Sequence, residues 1–150
     1  MKLHFYAHGI PAPQGSHRAY VVKGRAHITN DNDRTRTWRM DVREAALAER
    51  AATLQVAASG PVTVELTFCL PRPAGHYGTG RNAGRLRAGA PAWPAKKPDL
   101  DKLARAVLDA LTEAGCWIDD AQVQGIAAQK VFTPLGGTSG VRVIVEELEP

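Results

Sequence analysis

The clearest periodicity in the chain is a strict alternation. In VTVELTFCL, residues 62–70, Val62, Val64, Leu66 and Phe68 alternate with Thr63, Glu65 and Thr67, the two-residue period of a strand with one buried face. Gly60-Pro61 bounds it on one side and Pro71 on the other. Upstream, KLHFYAHG reads as a first strand, closed by the turn Gly9-Ile10-Pro11-Ala12-Pro13. HRAYVVKGRAHITN follows as a hairpin turning at Lys23-Gly24, and Asn30-Asp31-Asn32-Asp33 supplies turn and cap chemistry. From Thr35 to Ala58 the spacing of Trp38, Val42, Ala45, Ala46 and Leu54, with many alanines, predicts a helix. A second helix is predicted over PDLDKLARAVLDALTEAG. Leu100, Leu103, Val107, Ala110, Leu111 and Ala114 fall on one face, and Lys102, Arg105, Asp109, Thr112 and Glu113 on the other. Gly115 is placed to stop it in the left-handed conformation. AQVQGIAAQKVF and VRVIVEEL read as two further strands, joined through PLGGTSG as a hairpin. This order predicts one α+β domain over residues 1–150, a mixed sheet of about four to six strands with two main helices packed on it.

Composition changes this picture in one place. Residues 71–97 are rich in Gly, Pro and Ala and read as a long flexible loop. They carry six basic residues, Arg72, Arg81, Arg85, Arg87, Lys96 and Lys97, and no acidic one. The whole chain has a formal net charge of +4, which modestly favours an anionic partner such as nucleic acid. Arg18, Lys23, Arg25, Arg34, Arg36 and Arg39 form a second basic-rich region. The two cysteines, Cys69 and Cys116, are far apart with no CxxC, which fits a reducing cytoplasm and argues against a thiolate zinc site. No apolar run has the length of a membrane span, and the N-terminus lacks the pattern of a signal peptide, so a cytoplasmic protein without membrane contact is expected.

The candidate chemistry lies in carboxylates. Asp99 and Asp101 stand two apart at the mouth of the second helix, and Asp119-Asp120 lies just beyond its other end, where a strand begins. If the fold brings that strand start beside the helix start, the acids meet. Three acids packed together repel, by roughly 4 kcal/mol per pair at about 4 Å in an effective dielectric near 20. A divalent cation removes that cost, and oxygen-only ligands suit Mg²⁺, with Mn²⁺ as a substitute. Taken alone, Asp at a helix start is first a cap and a dipole partner, and Asp119-Asp120 a solvated turn.

The whole stretch Asp99–Val123, DLDKLARAVLDALTEAGCWIDDAQV, resembles the signature of the RusA family of Holliday-junction resolvases: D-x-D-N, an amphipathic helix containing D-A-L, a glycine stop, an apolar pair and D-D-x-Q-V. The resemblance implies a homodimeric, Mg²⁺-dependent endonuclease that cuts four-way DNA junctions symmetrically in recombination or repair. It implies Asp99, Asp101 and Asp120 as catalytic metal ligands, with Asp119 a neighbour or a turn residue. Two positions depart from the pattern. Lys102 stands where the family has Asn, and Arg105 stands where a catalytic lysine can occur, one turn beyond Asp101. Arginine keeps the charge but does not release its proton near neutral pH. Arg105 therefore suits holding phosphate, or simply pairing with Asp101 or Asp109 on the helix surface, and Lys102 is the substitute if a neutral amine is required. Beside a nuclease signature, the basic loop (Arg72, Arg81, Arg85, Arg87, Lys96, Lys97) becomes the expected DNA contact.

Other candidates carry less. His4 and His8 fall in a strand rather than at helical spacing, and Tyr77-Gly78-Thr79-Gly80 precedes no helix and is rejected as a phosphate loop. Trp38 and Trp117 read as core anchors, and Trp93, in the loop, as open to a contact role. Two rival readings remain: a metal nuclease acting on other branched DNA or RNA, and a junction-binding protein without cutting activity.

Overall fold

A computed structural model describes residues 1–15, 18–29 and 33–149. Its centre is the alternating segment β4 (Val62–Leu70), which buries Val62, Val64, Leu66, Phe68 and Leu70 on one face. The same alternation buries Leu3, Phe5 and Ala7 of β1 (Lys2–His8) and Val141, Val143 and Val145 of β6 (Gly140–Glu147). Each Val, Leu or Phe side chain among them contributes about 1.5–3 kcal/mol by leaving water, and a shift of one residue in register would turn the whole set outward. With β5 (Val123–Phe132) these strands form one mixed sheet of order β1-β6-β4-β5. β6 runs antiparallel to β1 and β4, and β5 runs parallel to β4.

Helices α1 (Asp33–Thr53) and α2 (Leu100–Glu113) cover the buried face. Trp38, Val42 and Ala46 of α1 and Leu103, Val107, Ala110 and Leu111 of α2 join the strand residues in one core cluster. The architecture is the α+β sheet with two main helices that the pattern predicts. A separate two-stranded sheet pairs β2 (Arg18–Val22) with β3 (Arg25–Thr29), turning at Lys23-Gly24 where both residues have positive φ, the turn that suits strand twist.

Two expectations are corrected. β5 and β6 are not a hairpin, because β4 lies between them. β5 is weakly apolar and largely exposed, and it takes one edge of the sheet, with β4 and β6 in the interior positions. Helix α1 ends at Thr53 rather than near Ala58: Leu54 turns into the left-handed region, and the Gln55 amide closes on the Arg50 carbonyl at 3.0 Å. The turn and cap residues Asn30, Asp31 and Asn32 lie outside the described residues. Segment 71–97 has no strand or α-helix, as its composition predicts. It is fastened internally by the Gly78 amide to the Arg85 carbonyl and the Arg87 amide to the His76 carbonyl, each at 2.9 Å.

Candidate active site

The parallel pairing of β4 and β5 requires a crossover, and α2 is that crossover. Its N-terminal end is set by β5: the Lys130 ammonium donates to the carbonyls of Lys96 and Pro98 at 3.0 and 2.9 Å. Asp99 occupies the N-cap position, and its carbonyl accepts the Leu103 amide at 3.1 Å, but its side chain makes no cap hydrogen bond. The Asp99 carboxylate instead lies 3.5 Å from the Lys102 ammonium, both half-exposed. Asp101 follows in the first turn, exposed, at the positive end of the helix dipole.

The other end is built more tightly. Gly115 adopts positive φ, its amide donates to the Thr112 carbonyl, and the Cys116 amide donates to the Leu111 carbonyl, the paired bonds of a Schellman stop. Trp117 is buried, as expected of a core anchor, and its indole N–H reaches both Thr112 Oγ1 at 2.9 Å and Asp120 Oδ1 at 3.2 Å. The Thr112 hydroxyl donates to the same Asp120 oxygen. Oδ1 of Asp120 is thereby held from two sides, and Oδ2 is the oxygen left to a ligand. Asp119 caps the short 3-10 turn at Asp120–Gln122, accepting the Ala121 amide at 2.7 Å. Gln122 locks the turn: its Oε1 accepts the amides of Ile118 and Asp119, and its Nε2 donates to the carbonyls of Ala58 and Gly60. The D-D-x-Q pattern thus divides into one presented acid, one cap and one lock.

Between the two ends a groove of about 840 Å³ runs along α2 and the edge strand β5. Asp101, Arg105, Asp109 and Asp120 supply its charges; Leu100, Ala104, Leu108, Val123, Ile126 and Ala128 supply its apolar surface. Burial pushes the Asp109 carboxyl above its ordinary range. Arg39 and Arg105 act against that, and Asp120 and Glu113 add to it. The groove brings Asp101, Arg105 and Asp120 to one surface, with Asp99 and Lys102 paired beside its upper end. It does not bring Asp101 and Asp120 together. Asp120 is bonded to Thr112, which at 1.5 Å per residue stands about 16 Å along the helix from Asp101. Among the described residues no three His, Cys, Asp or Glu side chains are grouped closely enough to hold one metal ion.

Of the expected DNA-contacting residues, Arg81, Arg85, Arg87, Lys96 and Lys97 are exposed. Arg87 also braces the loop through its Nε to the Tyr77 carbonyl at 2.7 Å. Arg72 is half-buried, stacked 4.1 Å over the Phe132 ring and donating to the Pro91 carbonyl. Trp93 is exposed and lines a second cavity with Lys96, Lys97 and Pro98, next to Asp99. In the second basic region Lys23, Arg25, Arg34 and Arg36 are exposed, and Arg39 is paired with Glu113. The side chain of Arg18 lies outside the described set. Sequence reasoning did not place Asp109, Thr112 or Gln122 in the site. The signal for the first was its spacing, four residues from Arg105 and eight from Asp101 on one helical face.

Comparison with known proteins bears on the family. The family model for endodeoxyribonuclease RusA matches residues 11–146. Crossover junction endodeoxyribonuclease RusA of Escherichia coli K12 is 26% identical over 133 residues, covering 88% of each chain. The crossover junction endodeoxyribonuclease of Enterobacteria phage 82 is 26% identical over 129 residues, covering 85% of this chain and 84% of its own. The protein YqaN of Bacillus subtilis is 26% identical over 129 residues, covering 86% and 87%. With a match that takes in both ends of α2 and every strand of the main sheet but β1, the chain belongs to the RusA family of endodeoxyribonucleases.

Proposed function

We propose that the protein is a homodimeric, Mg²⁺-dependent endonuclease that cuts four-way DNA junctions symmetrically, in the cytoplasm, in recombination or repair. The observation that carries this is the presentation of acids at the two ends of α2 on one groove, in a chain of this family. No described helix is long and apolar enough to cross a membrane.

The donor set fits a hard divalent ion. Asp99, Asp101 and Asp120 offer only oxygen, and one oxygen of Asp120 is already engaged by Thr112 and Trp117. Mg²⁺ is commonly held by one or two carboxylates with water and phosphate rather than by an all-protein cage, so neither cluster needs three ligands of its own. When bound, such an ion activates water and stabilises charge on a phosphodiester; Mn²⁺ has the same ligand preference.

The remaining work falls to the chain. Asp99, Asp101 and Asp120 would hold the ion, and Thr112 and Trp117 orient Asp120. Arg105, permanently charged and exposed on the groove, neutralises the scissile phosphate. Lys102 screens Asp99 and is the second cation within reach of the phosphate. The basic residues Arg72, Arg81, Arg85, Arg87, Lys96 and Lys97 hold the DNA backbone, Arg72 through its exposed part.

The test is cleavage of an immobile four-way junction with Mg²⁺. Symmetric nicks near the branch point are expected. Cutting confined to flaps, forks or RNA would move the substrate to the first rival reading, and binding without cutting would support the second.

A further inference from the structure

We propose that the cavity beside Asp99, walled by Trp93 and Phe132, takes one unstacked nucleobase of the bound DNA, next to the phosphate to be cut. This rests on the nuclease reading above and adds how the branch itself is held.

The first ground is shape and chemistry. The cavity has about 480 Å³, inside the roughly 300–1,000 Å³ usual for small-molecule sites. Its walls are rings: Trp93, His76 and Phe132, with prolines between them. Phe132 and His76 meet edge to face, their centroids 5.4 Å apart. Trp93 is 64% exposed at this apolar cavity. A base laid on its indole face would recover the burial and stacking that this exposure forgoes.

The second ground is rigidity. Arg72 lies 4.1 Å over the Phe132 ring and donates to the Pro91 carbonyl at 2.8 Å, which ties the start of segment 71–97 to its far part. Lys130 donates to the carbonyls of Lys96 and Pro98. Phe132 and Lys130 both belong to β5, so the walls are fastened to the edge strand before any ligand arrives. The same bonds engage three of the carbonyls around the cavity. What is left is mostly ring and hydrocarbon, which grips the face of a base rather than reading its edge, so any of the four bases is accepted.

The third ground is charge and place. Lys96 and Lys97 line the cavity, and among the described lining residues none is acidic. The neighbouring groove is the opposite, with Asp101, Asp109 and Asp120 against Arg105. Pro98 forms part of the wall and Asp99 follows it, one Cα step of about 3.8 Å. The two lysines suit the phosphate of a nucleotide whose base is inside. A peptide seated here would instead lie across the approach to Asp99. A branch point supplies the ligand, because a base is least costly to extrude where pairing or stacking is already broken.

The test measures tryptophan emission and affinity of the full chain on an immobile four-way junction without divalent ions, so that nothing is cut. Of the three tryptophans, Trp38 and Trp117 are buried, and Trp93 is the one a stacked base can quench. Wild-type emission should be quenched on binding. Trp93→Ala should bind about 5–150-fold more weakly, the usual worth of one base–aromatic stack, and Trp93→Phe should recover most of that affinity. On the same junction with abasic residues flanking the branch in every strand, the quenching should vanish and wild type and Trp93→Ala should bind alike. Binding without quenching, with Trp93→Ala equal to wild type on the intact junction, would overturn the base pocket and leave the cavity to a protein segment; cutting with Mg²⁺ would then keep the nuclease reading standing. A Trp93→Ala loss that persists on the abasic junction would also overturn it, since the indole would then act on the loop or the phosphates. A wild type that neither binds nor cuts the junction would overturn the nuclease reading, and the pocket's ligand with it.

Discussion

At its N-terminal end α2 presents Asp99 and Asp101 on exposed side chains, and Asp99 is held by little more than an ion pair with Lys102. At its C-terminal end Asp120 is bonded to Thr112 and Trp117, beneath a Schellman stop and a turn that Gln122 locks. The two ends carry the same functional group under opposite regimes. One pair is free to adjust to a ligand; the other acid is fixed before any ligand arrives. A fixed ligand costs no ordering entropy on binding, and an adjustable one can follow a substrate phosphate that differs in position. Preorganisation is concentrated where the chain could build a rigid turn, and adaptability remains where the basic loop enters the helix.

The largest effect should come from the adjustable end. Asp101→Asn should lower junction cutting by at least about a hundredfold, because a ligand of the ion is lost. Junction binding should persist or strengthen, since a negative charge near phosphate is removed. Gel-shift and cleavage assays on the same preparation separate the two, and cutting at the wild-type rate would remove Asp101 from the site.

Next is the fixed end. Thr112→Val keeps the shape and removes the hydroxyl that holds Asp120. A loss of about 10–100-fold in cutting is expected, the usual cost of deleting a partner that orients a ligand, and Thr112→Ser should restore it. If Thr112→Val and Thr112→Ser behave alike, the hydroxyl does not position Asp120.

A smaller effect belongs to the loop. Lys96→Ala and Lys97→Ala should each weaken junction binding several-fold and reduce the slope of log affinity against log salt by about one, as expected for a lost phosphate contact. Fluorescence anisotropy at several salt concentrations reads this, and an unchanged slope would remove these residues from the DNA surface.

Those three outcomes bear on how legible the molecule was. The core strands were readable because their alternation is strict, as at Val62–Phe68 and Val141–Val145. The stop at Gly115 was readable because only a residue without Cβ fits there cheaply. The pairing of β5 was not, since a weak pattern such as QGIAAQ does not say which neighbour it takes, and position in a sheet is decided by competition among all strands. In the site, Asp99, Asp101 and Asp120 were named from spacing and resemblance. The bonds of Thr112 and Gln122 depend on the chain reversing after Gly115, which local pattern does not specify. The separation of Asp101 from Asp120 follows from helix length only once that reversal, which ties Asp120 to Thr112, is in place.

The smallest effect on function is expected far from α2. Glu147 accepts the amides of Ser59 and Gly60 and pairs with the N-terminal ammonium, and the Gly60 bond with that pairing holds its carboxyl down at about 2 from the ordinary 4.5. A lowered folded-state value contributes stability above the ordinary value, and that contribution fades as pH falls towards about 2. Glu147→Gln should therefore be less stable than wild type at neutral pH, with the difference closing between about 4.5 and about 2 in denaturation curves. Cutting by the folded variant should be unchanged. A stability gap independent of pH would show that ionisation of Glu147 is not its source.

The most direct test of whether the acids at both ends of α2 serve one cation is Mn²⁺ titration of the protein without DNA, followed by electron paramagnetic resonance. The account predicts one tight ion per protomer in the wild type and loss of that binding in both Asp101→Asn and Asp120→Asn. Full retention of the ion in either variant would contradict it.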